Sequence, residues 1–120
     1  MRFFGFVLIS IALLIPKIAS ANDVTVGVFE SDLSNQNPDN QAQINVELVA
    51  LGDGLMSADA YERSIGNHRI YCPSDNLSLT ASQDQEILQD WIQRNNPDPN
   101  MPIGVAMLKA LRDAFPCTDQ

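Results

Sequence analysis

Two cysteines constrain this chain more than any other feature it carries. Cys72 stands before a proline in "IYCPSD", Cys117 stands after one in "AFPC", and the two clearest helical segments lie between them. An even count of two allows one intramolecular pairing. A metal site would want further Cys or His ligands and a reactive thiol would want a basic neighbour, and His68 is the sole histidine. A bond between Cys72 and Cys117 closes a loop around both helices and their connecting turn. In a chain-entropy estimate such a loop is worth roughly 4 kcal/mol, from which native strain subtracts. The pair reads as a staple.

The first stapled segment has the strongest helix start in the chain. Thr80 stands three residues before Gln83, the spacing of a capping box, and Asp84 and Glu86 suit the positive end of a helix dipole. Ile87, Leu88, Trp91 and Ile92 form one apolar stripe, with Trp91 as a core anchor. "RNNPDPN" ends the segment. In the second, Pro102 is suited to a first-turn position, Ile103, Ala106, Met107, Ala110, Leu111 and Ala114 share a face, and Lys109 and Arg112 sit near the negative end. Phe115-Pro116 stops it. Upstream, Gln41 to Tyr61 repeats apolar residues at Ile44, Leu48, Leu51, Leu55 and Met56, as a helix would. Gly52 and Gly54 weaken that helix by roughly 1 kcal/mol each, which points to a close neighbour or a kink. "SIGNHR" marks a turn after it.

Residues 1–21 read as a secretory signal: Arg2 is followed by an apolar run from Phe3 to Ile15 and by Ala19-Ser20-Ala21. At about 1.5 Å per residue the run spans roughly 20 Å, short of the roughly 30 Å needed to cross a bilayer. In residues 22–40, Val24, Val26 and Val28 alternate like a short strand, and "ESDLSNQNPDNQ" has the composition of a loop. This part is expected to be a loop-like arm. Residues 41–120 are expected to form one helical domain.

Loss of Arg2 and Lys17 takes the formal charge from −8 to −10. Such a field repels phosphate, so nucleic acid and anionic membrane are disfavoured and a basic protein is the favoured partner. No nucleophile, base and orienting group stand in a recognisable pattern. His68 beside Arg69 reads as a surface residue, and Asp84 and Glu86 read as helix-start charges. No catalytic residue, metal or cofactor is expected. The rigid polar loops "RNNPDPN" and "CPSDN" offer binding chemistry instead, with Asn96, Asp98, Asp75 and Asn76 as contact residues. Asp98→Lys is expected to slow association with little change in stability.

The stretch "YCPSDNLSLTASQDQEILQDWIQRNNP" followed by "GVAMLKALRDAFPC" resembles the Rap/Tai-type immunity proteins associated with type VI secretion, small secreted helical proteins of Gram-negative bacteria. Cys72 and Pro73 match the upstream element, Thr80 and Gln83 the helix start, and Pro97 the turn. Ala110, Leu111, Phe115, Pro116 and Cys117 match the terminal signature. "VALGDGLMSADA" is similar to the family's glycine-containing helix. Typical relatives carry an earlier cysteine pair, and this chain has neither member of it.

The resemblance implies a periplasmic protein that inhibits a peptidoglycan-degrading amidase toxin by occlusion. The fold expected is all-α, a small helical domain whose C-terminal helical hairpin is stapled by one disulfide. A small periplasmic accessory or structural protein on the same scaffold is the alternative. Monomer and homodimer both remain open.

Overall fold

The computed structural model describes residues 24–75 and 77–118. The expected signal segment lies outside them. Among the described residues there are four helices: α1 (Val26–Ser34), α2 (Pro38–Ser64), α3 (Ala81–Asn95) and α4 (Ile103–Ala114). The chain is all-α, and Cys72 and Cys117 are bonded with their Cα atoms 5.0 Å apart. Cys72 N–H also donates to Phe115 C=O at 2.8 Å, so backbone and disulfide tie the same two segments.

The expected loop-like arm at residues 22–40 is corrected by the structure. Val26–Ser34 is a helix, with Thr25 as N-cap accepting from Val28 N–H at 3.4 Å. It buries Val26 and Phe29 and half-buries Leu33, while Val28 is outward and exposed. Tertiary contact stabilises a segment whose composition does not favour helix. Val26 N–H donates to Met101 C=O at 2.9 Å and Gly27 N–H to Pro99 C=O at 2.9 Å. In the other direction, Ile103 N–H donates to Val24 C=O at 2.8 Å. This strand-like pairing, centred on a Thr25–Pro102 bridge, supplies an acceptor to the start of α4, where Pro102 as N-cap offers no side-chain cap.

Helix α2 extends past the expected Gln41–Tyr61 at both ends. Asn37 caps it by accepting from Asp39 N–H at 3.0 Å, and Pro38 takes the first turn, where its missing N–H is harmless. At the other end Gly66 adopts φ +80°. Gly66 N–H donates to Arg63 C=O and Asn67 N–H to Glu62 C=O, the two bonds of a Schellman stop. Helix α3 begins with the expected capping box: Thr80 Oγ1 accepts from Gln83 N–H at 3.3 Å, and Gln83 Oε1 accepts from Thr80 N–H at 2.9 Å.

The core gathers Ile44 and Leu48 of α2, Leu88, Trp91 and Ile92 of α3, and Ala106, Met107, Ala110 and Leu111 of α4, with Val26, Phe29 and Tyr71. Small residues at positions 106 and 110 let α3 approach α4 closely. Leu51 and Leu55 reach this core only in part. Met56 (49% exposed) and Ala114 fall outside it, although both share the expected apolar periodicity. Arg94 bridges the ends of the hairpin, 2.7 Å from Asp90 and 2.8 Å from Asp113. These groups are solvated, so the bridge contributes little to stability.

Candidate functional site

One long face of α2 supplies the wall of a cleft. Val49, Gly52, Asp53, Met56, Asp59 and Arg63 recur at three- and four-residue steps, so they stack along the helix surface facing the segment from Arg69 to Leu79 and the start of α3. The cleft encloses about 160 Å³, far above the roughly 10–15 Å³ that admits one water. Its lining includes Asp53, Asp59, Asp75 and Asp84 against Arg63 and Arg69.

Asp59 organises the far wall. The residue is buried at 4% exposure. Oδ1 accepts from Ile70 N–H at 2.7 Å and from Tyr71 N–H at 3.5 Å, and Oδ2 accepts from Arg69 Nε and Nη2, each at 3.3 Å. A single carboxylate thus fastens residues 69–71 to α2 and carries Tyr71 into the core. Burial of the phenol, with Asp59 and Asp84 nearby, raises the Tyr71 pKa above its ordinary value. Asp75, by contrast, is exposed and 4.0 Å from the half-exposed Arg63, a weakly held pair.

Asp84 is the unusual member. Sequence reading places it as a helix-start charge, and it does lie in the first turn of α3, but it is buried at 3% exposure. Its Oδ1 has no hydrogen-bond partner among the described residues. Burial, reinforced by the Asp53 charge, pushes its carboxyl up from 3.8 to about 6. The carboxyl lies against the backbone of α2 at Gly52, where an added methyl group would stand 2.6 Å from Oδ2. The two glycines of α2 therefore differ in kind. Gly52 makes room for Asp84, whereas a methyl at Gly54 would meet nothing within 4 Å.

Two expectations follow. Gly54→Ala should stabilise the protein by about 0.5–1 kcal/mol through helix propensity. Gly52→Ala should destabilise it, since overpacking costs about 1–3 kcal/mol and outweighs the same propensity gain. Parallel urea titrations of the two variants check the opposite signs. The pH dependence follows from the raised Asp84 value. The native state holds this proton more tightly than the unfolded chain, so stability is unreduced below about pH 4 and falls as pH rises through about 6, by about 3 kcal/mol in total. Asp84→Asn should flatten that fall, leaving stability similar at pH 4 and raising it at pH 8. Thermal melts across this range provide the measurement.

Of the four expected contact residues, the structure separates the three that it describes. Asn76 lies outside the described residues. Asp75 is at the cleft. Asn96 and Asp98 belong to the 96–102 connection at the other end of α3, where both have local structural roles. Asn96 ends α3 in the left-handed region (φ 42°), which Asn tolerates better than most residues, and its N–H donates to Ile92 C=O at 2.8 Å. Asp98 Oδ1 accepts from Asn100 N–H at 2.8 Å and from Asn100 Nδ2 at 3.2 Å. The following residues, 99–102, seat α1. This connection is a scaffold joint as well as a surface loop. Asp98→Lys is accordingly expected to cost about 1 kcal/mol through loss of the turn acceptor, more than the near-zero change expected for a free loop charge. Chemical denaturation distinguishes the two values.

Sequence reading passed over Asp59, read Asp84 only as a helix-start charge, and expected a close neighbour or kink at Gly52, where Asp84 is that neighbour. The available signal was the register of 49, 52, 53, 56, 59 and 63, one polar-edged face interrupted by a glycine. Among the described residues, no group of three or more His, Cys, Asp or Glu is arranged to hold a metal ion, and no helix is long and apolar enough to cross a membrane. Comparison of the chain with family models, curated proteins and solved structures finds no match.

Proposed function

We propose that this chain is a secreted, periplasmic immunity-type protein that binds a peptidoglycan-degrading amidase toxin and inhibits it by occlusion, without catalysis of its own. The observation that carries the reading is the stapled hairpin. The residues on which the resemblance rests occupy consecutive structural roles: Cys72 bonded to Cys117, Thr80 and Gln83 forming the cap, Pro97 in the connection, Ala110 and Leu111 in the core. A bonded pair is also the chemistry of an oxidising compartment. Asp59 ties the 69–71 wall of the cleft to α2, and a preorganised surface loses little entropy on binding. The strong negative charge favours a basic partner. As for catalysis, Asp84 has the raised pKa of a general acid, but its Oδ1 is enclosed and engaged with no nucleophile.

The test is co-production in the periplasm with a candidate peptidoglycan amidase toxin. Protection from lysis, with a stoichiometric complex on size exclusion, is the expected result. Continued lysis in the presence of folded, disulfide-bonded protein overturns the reading in favour of an accessory role.

A further inference from the structure

The cleft carries unbalanced charge that the fold itself does not answer. Asp59 is paired with Arg69, and Asp75 lies at 4.0 Å from Arg63, which leaves Asp53 on α2 and Asp84 on α3 without a cationic partner among the described residues. Asp84 is buried at 3% exposure with Oδ1 unpartnered, an arrangement that costs free energy unless a counter-charge arrives. On the same face of α2, Val49 and Met56 flank this pair and are 45% and 49% exposed. They add nothing to the core, yet they border the acidic centre of the cleft. An apolar rim around a carboxylate pair matches a ligand with an aliphatic stem and a cationic head.

We propose that the cleft between α2 and residues 69–79 receives a basic side chain, lysine or arginine, of a protein partner, its stem against Val49 and Met56 and its charge beside the exposed Asp53, in the field of the buried Asp84. The proposal rests on the reading of the chain as a protein-binding module. Gly52 is what permits the site, because it keeps α2 close to the Asp84 carboxyl. Entry of the cation supplies the counter-charge that the isolated protein lacks.

The disulfide-bonded protein is titrated, with amide shifts followed by NMR, against three blocked pentapeptides: Gly-Ser-X-Ser-Gly with X lysine, arginine or norleucine. Saturable shifts at Gly52, Asp53 and Asp84 with the lysine or the arginine peptide, and none with norleucine at equal concentration, are expected. Asp53→Asn, at an exposed position that leaves the fold intact, should weaken this binding several-fold, and Asp84→Asn by about tenfold. Equal response to norleucine, saturation at another surface, no saturation with either basic peptide, or full retention of binding in both variants overturns the proposal. Failure of the cleft and failure of the immunity reading are separable. Toxin protection without peptide binding refutes the cleft alone, and peptide binding without protection refutes the immunity reading alone.

Discussion

Cys117→Ser is expected to lower the unfolding free energy by about 2–5 kcal/mol. The bond spans 45 residues, and in the chain-entropy model closing a loop of that length restricts the unfolded ensemble by about 4 kcal/mol. The loop encloses α3, α4 and the connection that seats α1. In the variant the backbone bond from Cys72 N–H to Phe115 C=O persists only as far as the ends of the hairpin remain adjacent. Urea unfolding of the variant, of Cys72→Ser and of the reduced parent should give coincident midpoints, because all three lack the same cross-link. A loss below about 1 kcal/mol would show that packing of α3 on α4 alone holds the hairpin closed. Intact mass under non-reducing conditions, two hydrogens below the reduced chain, verifies the bond.

Asp59→Ala is expected to cost about 3 kcal/mol, because this carboxylate fastens the segment just before Cys72 to α2. It removes the acceptor of Ile70 N–H, the weaker acceptor of Tyr71 N–H and one partner of Arg69 in one step. Each buried donor left unpaired costs about 1–3 kcal/mol, and the guanidinium, partly solvated at 27% side-chain exposure, recovers some hydration. Asp59→Asn keeps a carbonyl oxygen that can receive Ile70 N–H and should lose only about half as much. Denaturation midpoints order the three proteins. Amide exchange at Ile70 and Tyr71 should quicken in the alanine variant before exchange in α3 does. Equal losses for Asn and Ala would show that charge, and not the acceptor, fastens the 69–71 segment.

The hairpin was legible because its signals are local. The capping box of Thr80 and Gln83, the stripe Leu88, Trp91 and Ile92, and the small-residue face of Ala106 and Ala110 each lie within a few residues of one another. Helix α1 was not legible, since its stability derives from residues some seventy positions away: Val26 and Gly27 bond to Met101 and Pro99. Its polar neighbours suggest a loop, and only the spacing of Val26, Phe29 and Leu33 hints at a buried face. Met56 misleads in the opposite sense. Periodicity places it with Leu48 and Leu55, but it lies half-exposed in the wall of the cleft.

The sequence by itself determined the all-helical class, the cap of α3 and the pairing of the two cysteines, because caps, apolar periods and an even cysteine count act through near neighbours or admit a single solution. Only the tertiary structure decided that Asp84 is buried against Gly52, that Asp59 fastens the segment before Cys72, and that α1 rests on the 99–102 connection. An aspartate in a first helical turn has the same sequence signature whether it faces water or a neighbouring helix. Its burial, and with it the raised pKa and the unanswered charge of the cleft, is set by how α2 crosses α3, a long-range arrangement that no local pattern encodes.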